Sequence, residues 1–142
     1  MNPTGKNVLA FVVAVVVTMA VNMGLVVGGS SVVGMPAGVD PGKPETIKAN
    51  MHLFEAKHFA VPFLAHALGS VAGALTASLM AASHRFQLAM GVGALHLVGG
   101  IANAFMLPLP AWFAALDLIA AYLPAAWVGH KLATSVKPMA AV

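Results

Sequence analysis

Cysteine is absent from this chain, which excludes disulfides, thiolate metal ligands and thiol chemistry. Any metal would have to be held by His, Asp, Glu or backbone oxygens. Charge is scarce too. Only 8% of residues are Asp, Glu, Lys or Arg, against about 25% in an ordinary soluble domain, so the chain is not built to be wetted on all sides. Seven basic residues outnumber four acidic ones, but no basic patch is interleaved with aromatics, and nucleic acid is not an expected partner. There is no G-x-S-x-G elbow, no Ser–Lys pair within an apolar run and no phosphate loop, so no catalytic residue is assigned and an enzyme is not the favoured reading. No internal repeat is visible either, which removes support for a transporter built from two inverted halves within one chain.

What the sequence has instead is apolar length. Sixty per cent of it is hydrophobic, and its mean hydropathy is +0.90. Four long apolar stretches cover residues 8–33, 58–82, 88–106 and 112–128. Each is near the roughly 20 residues a helix needs to cross a ~30 Å hydrocarbon layer. We read residues 1–142 as a single integral membrane domain, all-α, with four transmembrane helices. Lys6 before the first run resembles the charged start of a signal peptide. That run exceeds the 7–15 residues of a signal core and no A-x-A site follows, so an uncleaved first span is expected.

The one extended polar segment is 34–57. Its Met35–Gly42 part is rich in Pro and Gly and must turn. From Pro44 onward Ile47, Met51 and Phe54 recur at i, i+4 and i+7, predicting a short amphipathic helix on the membrane surface that runs toward the second span, with Pro62 bending the junction. Residues 83–87 and 107–110 are the other connections, and links this short predict antiparallel neighbours in a bundle. Lys6, Arg85, Lys131 and Lys137 fall on one side, and Lys43, Lys48 and Lys57 on the other with Asp40, Glu45 and Glu55. Counting positive charges predicts both termini cytoplasmic and loop 34–57 outside, with Trp112 at the outer interface and Trp127 near the inner one.

Every span is interrupted by polar residues: Asn22, His66, His96 with Asn103, and Asp117. Polar groups in a bilayer are expensive, so these are the candidate ligand or ion-pathway residues. They sit on stripes of small residues. Ala14, Thr18 and Asn22 lead toward Gly29 in the first span, and His66, Gly69, Gly73 and Ala77 share the second. Ala89, Gly93, His96, Gly100 and Asn103 share the third, and Asp117, Ala121 and Pro124 the fourth, with Tyr122 nearby. Small residues let helices approach closely in lipid, so Gly69, Gly73, Gly93 and Gly100 are expected at helix contacts. In the expected topology His66 lies about 12 Å below the outer boundary, at 1.5 Å per residue. Asn22, Asn103 and Asp117 come out in the same outer half and His96 near the middle, which predicts one polar layer in the outer half of the bilayer.

Asp117 has the strongest claim on chemistry. A carboxylate in hydrocarbon must be protonated or paired, and His66 and His96 are the available partners. The plain outcome is a hydrogen bond that locks the bundle. A proton relay is the second, and a zinc or iron site of His66, His96 and Asp117 the third, although no span carries the H-x-x-x-H or E-x-x-H spacing that puts two ligands on one face. Ser70, one turn from His66, is expected to pack or to bond backbone. His52 and His58 are expected to be solvated at the outer interface, and His84 and His130 to meet headgroups at the inner one. The nine methionines are expected to fill packing gaps.

Several segments carry a resemblance: Met35-Pro36-Ala37-Gly38-Val39-Asp40-Pro41, His66-Ala67-Leu68-Gly69 followed by Gly73-Ala74, Gly99-Gly100-Ile101-Ala102-Asn103, Leu107-Pro108 with Pro110 and Trp112-Phe113, and Tyr122-Leu123-Pro124-Ala125-Ala126-Trp127. From Gly34 onward the chain resembles a broad set of small bacterial four-span membrane proteins that has no assigned activity. The resemblance implies a bacterial inner-membrane location and transfers no catalytic residue. The expectation is therefore a non-enzymatic inner-membrane protein, a homo-oligomer or accessory subunit, without a predicted cofactor. The second reading is a small proton, ion or solute transporter or channel using His66, His96, Asn103 and Asp117; the third is a metal- or quinone-dependent membrane enzyme.

Overall fold

A computed structural model describes residues 1–137. Helix α1 covers Pro3–Val33, α2 Pro44–Asn50, α3 Ala56–Met80, α4 Arg85–Met106, α5 Ala111–Ala120 and α6 Leu123–Val136, with a 3₁₀ turn over Met51–Leu53. There is no strand among the described residues. α1, α3, α4 and the pair α5–α6 are each long and apolar enough to cross a membrane, which makes this a polytopic membrane protein of helical architecture.

The helix ends follow from local chemistry. Asn2 Oδ1 accepts from the Gly5 amide at 2.7 Å, with Pro3 in the first turn where its missing N–H costs nothing. α1 stops at Gly34, whose φ of 77° suits a residue without Cβ. The segment after it is tied by Asp40, whose Oδ1 accepts from the Gly42 amide at 2.8 Å. The amphipathic segment is not continuous with the second span. Phe54 is extended, α3 begins afresh at Ala56, and Pro62 lies inside it.

The fourth span is two helices. Pro124 has no N–H, so the Ala120 carbonyl loses its i+4 donor. The chain turns at Ala121–Tyr122 and restarts at Leu123. That break matters for the site.

α3 is the central helix, packed against α1, α4 and α6. Its buried residues include Ala65, Gly69, Gly73, Ala74 and Ala77, so three neighbours can come close to its backbone. A Cβ on Gly73 would meet Thr18 Oγ1, and the Ala14 carbonyl at 3.0 Å. One on Gly129 would meet the Val71 carbonyl and the Leu75 amide nitrogen. Ala14, Ala77 and Val92 form one dry cluster, and Ala74, Ala89 and Ala126 another. Val8, Val12, Val16, Met19, Met23 and Val27 of α1 point outward, as a lipid-facing surface should.

Asn7 joins the start of α1 to the end of α3. Its amide donates to Ser83 Oγ at 2.9 Å and accepts from the Ala82 backbone at 2.9 Å. Arg85 donates to the Lys137 carbonyl at 3.0 Å. The beginning of α1, the 81–85 turn and Lys137 therefore gather at one end of the bundle, while Gly29 lies against Val61 toward the other.

Gly73→Ala is expected to lower stability by about 1–3 kcal/mol through overpacking. Gly24→Ala and Gly28→Ala, where nothing lies within 4 Å, should leave it unchanged or slightly raised. Unfolding in mixed micelles followed by circular dichroism separates the two classes, and adding Thr18→Ala to Gly73→Ala should recover part of the loss.

Candidate functional site

The site is built around one carboxylate. Asp117, in the last turn of α5, is buried. Its Oδ1 lies 2.8 Å and its Oδ2 3.0 Å from His66 Nδ1. The Tyr122 hydroxyl donates to Oδ2 at 2.9 Å and lies 3.0 Å from the same His66 nitrogen. An ionised carboxylate only accepts hydrogen bonds, so with Asp117 ionised the proton of His66 sits on Nδ1 and Nε2 is left as the imidazole's free nitrogen. Nε2 has no partner among the described residues, and it is not among the fully enclosed unpaired atoms.

Tyr122 reaches Asp117 because of the break between α5 and α6. In a continuous helix residues five apart are rotated well away from each other. The turn at Ala121–Tyr122 swings the ring inward, where it is completely buried. Gly100 of α4 makes the room, since a Cβ there would strike the Tyr122 hydroxyl. The tyrosine ring stacks on His66 at 5.3 Å and meets the edge of His96 at 5.0 Å, and the two imidazoles face edge-on at 5.8 Å. His96 is held by Ser70, with Oγ and Nδ1 2.9 Å apart.

A cavity of about 280 Å³ lies over this cluster. Its lining brings together the polar His66, Asp117, Asn22 and Asn103, the apolar Phe59, Val61, Pro62 and Phe113, and Ile47, Met51 and Phe54 of the amphipathic segment. The apolar face of the amphipathic segment thus contributes to the cavity lining. Asn22 Oδ1 is enclosed and has no hydrogen-bond partner. An unsatisfied buried acceptor of this kind costs about 1–3 kcal/mol.

His66, His96 and Asp117 are brought together, with Asn22 beside them across Gly69 and the cavity. Asn103 is exposed but lines the same cavity as Asn22, His66 and Asp117, and also a shallow neighbouring depression with Glu45 and Lys48. The four glycines expected at contacts do lie at them. A Cβ on Gly69 would stand 3.1 Å from the Thr18 carbonyl, and one on Gly93 would stand 2.5 Å from Ala126 Cβ.

Two histidines differ from expectation. His58 is buried at the mouth, where its Nδ1 accepts from the Glu55 amide at 2.8 Å. His130 is buried too, bonded to Ser78 Oγ at 2.9 Å. Each has a local hydrogen-bond partner that removes it from solvent or headgroups. Among the described residues no group of three His, Asp or Glu is placed to hold a metal ion.

Tyr122 and Ser70, which the sequence places near the polar stripes without a role in the site, bond Asp117 and His96 respectively. The chain's single tyrosine, two residues before Pro124 and five after a buried Asp, was the available signal. Gly129 was also missed as a packing residue, although Ala121, Ala125, Gly129 and Ala133 continue the fourth span's small-residue stripe at intervals of four.

Stability should rank these bonds. His66→Ala leaves Asp117 without its closest donor and is expected to cost about 3 kcal/mol. Tyr122→Phe removes one hydroxyl and is expected to cost about 1 kcal/mol. Denaturant titration of purified protein in micelles checks the order; equal losses would show that His66 is not the main partner.

Comparison with protein-family models, with curated proteins and with solved structures finds no match to this chain.

Proposed function

We propose that the protein is a non-enzymatic membrane binding protein, whose outward-facing cavity holds a small ligand against a polar floor in the outer half of the bilayer. The observation that carries this reading is the pairing of about 280 Å³ of mostly apolar space with His66 and Asp117 at its base. Apolar pockets with a few convergent polar groups are the usual form of small-molecule sites. The arrangement in the membrane is an antiparallel bundle, with both termini cytoplasmic and residues 34–57 outside. The location is the bacterial inner membrane, and the valine-rich face of α1 is free to meet a second copy or a larger partner.

The second reading is transport. In its favour, His66 leads to His96 and Ser70, and a further polar pair, Ser78–His130, lies nearer the other end. Against it, Ser70 and Ser78 are about 12 Å apart along α3 at 1.5 Å per residue. Between them lie the dry alanine and valine clusters. Binding without a through path fits that arrangement better.

The lack of native cysteine makes the test direct. In Asn22→Cys the thiol at the cavity floor should react with a membrane-impermeant methanethiosulfonate added to the outer face, while Ser78→Cys should not. An Asn22→Cys protein inert from both faces would end the binding reading. Reaction of Ser78→Cys from the outer face would favour transport, and reaction of Asn22→Cys only from the inner face would reverse the orientation.

A further inference from the structure

The cavity is long, polar toward one end and open on its side. Its lining runs along α1 from Asn22 to Ser30, along α3 from His66 to Phe59 and along α4 from Gly100 to Leu107. Each stretch is about 10–12 Å at 1.5 Å per residue. Asn22, His66 and Asp117 lie toward the inner end, and Val26, Phe59 and Leu107 further out are apolar. α1 and α4 meet near the inner end of the bundle, where Phe11 lies against Gly91 and where Ala14 and Val92 share one cluster. Further out the cavity lies between them. Met23 on α1 and Asn103 on α4 both line it and are both exposed. Met23 is 60% exposed, and α1 ends at Val33, which puts this side of the cavity about 15 Å below the helix end at 1.5 Å per residue. An opening at that level faces hydrocarbon.

Inside, the polar groups are unequally occupied. Both oxygens of Asp117, His66 Nδ1 and the Tyr122 hydroxyl bond one another, and His96 is bonded to Ser70. Asn22 is left, with its Oδ1 enclosed and unpartnered. A buried acceptor without a donor is costly, so the missing group is a donor. A hydroxyl supplies one, and because it also accepts, it fits the amide in either orientation. A head that enters sideways through hydrocarbon has to be neutral, since an ion there is strongly disfavoured. No Lys or Arg lines the cavity to compensate an acidic head.

We infer that the cavity takes up, sideways from the bilayer, a neutral single-chain lipid alcohol, with its hydroxyl on the Asn22 amide and its chain along the apolar length of the cavity. The inference rests on the binding reading above and adds the class of ligand and its route. The volume agrees. About 280 Å³ is at the small end of the roughly 300–1,000 Å³ usual for ligand pockets. That is room for the head and first carbons of one chain, the remainder reaching lipid between Met23 and Asn103. Met23 at the opening is unbranched and can move aside.

The test uses photoactivatable probes, with a diazirine on the chain near the head, added to the full chain in lipid nanodiscs. Hydroxyl, methyl ether, carboxylate and ammonium heads are compared on the same hexadecyl chain. After illumination, peptide mass spectrometry should find the hydroxyl probe on lining residues such as Val26 and Phe59. Unlabelled hexadecanol should displace it at a concentration at least about tenfold lower than hexadecyl methyl ether does. Asn22→Leu should lose that preference yet unfold at a higher temperature than the wild type, because it removes the unpaired oxygen. An asparagine with only a structural role would lose stability instead. Equal displacement by alcohol and ether, or stronger labelling by a charged probe, overturns the ligand class and leaves the binding reading standing. Labelling confined to lipid-facing residues such as Val12 and Val16, with Asn22→Cys still reactive from the outer face, overturns the route through the bilayer but not the cavity. If no probe labels the lining and Asn22→Cys is inert from both faces, both readings fall. Should Asn22→Leu fail to fold, the comparison of heads on the wild-type protein still decides.

Discussion

A carboxylate among apolar helices has to find donors, because neither lipid nor alanine can supply them. Asp117 finds two, and the rest of the interior is arranged around that fact. His66 reaches it from α3 and Tyr122 from the turn that ends α5. The tyrosine can be there only because Pro124 breaks the fourth span and because Gly100 has no side chain to occupy the same space. His96 then packs against both rings and is itself anchored by Ser70. One buried carboxylate thus links a helix break, a glycine and the placement of three aromatic rings.

The packing that permits this is made of small residues. α3 meets three neighbours through Gly, Ala and Ser, so its backbone can be approached from α1, α4 and α6. In lipid such close contact is the main source of helix association. The same residues seal the centre of the bundle. Between the Ser70 and Ser78 levels the contacts are mostly alanine and valine, with the buried Thr18, bonded to the Ala14 carbonyl, packed against Gly73. It is the cavity that has volume to hold a ligand.

Much of this was legible in the chain. Apolar runs of the right length give the four spans, and polar interruptions in them point to His66, His96 and Asp117, because a polar residue in hydrocarbon needs a reason. Asn103 continues the α4 stripe in sequence and lines the same cavity, although it is exposed. His58 and His130 show where the sequence misleads. A histidine near a span end looks solvated until a neighbour is known, and here Glu55 and Ser78 supply one. Tyr122 was hidden because regular helical spacing puts residue i+5 away from residue i, a rule that holds only while the helix is unbroken.

The sequence by itself determined the solvent and the secondary structure: too little charge to be wetted, runs long enough to span, and prolines and glycines where helices end or turn. These are local properties, set by transfer free energy and backbone geometry within a few turns. The tertiary structure alone decided which donors meet Asp117, that the amphipathic segment helps line a cavity, and that Asn22 beside it carries an unsatisfied oxygen. Those depend on distances between residues as far apart in the chain as Asn22 and Asp117, and only the packing of small residues against α3 fixes them.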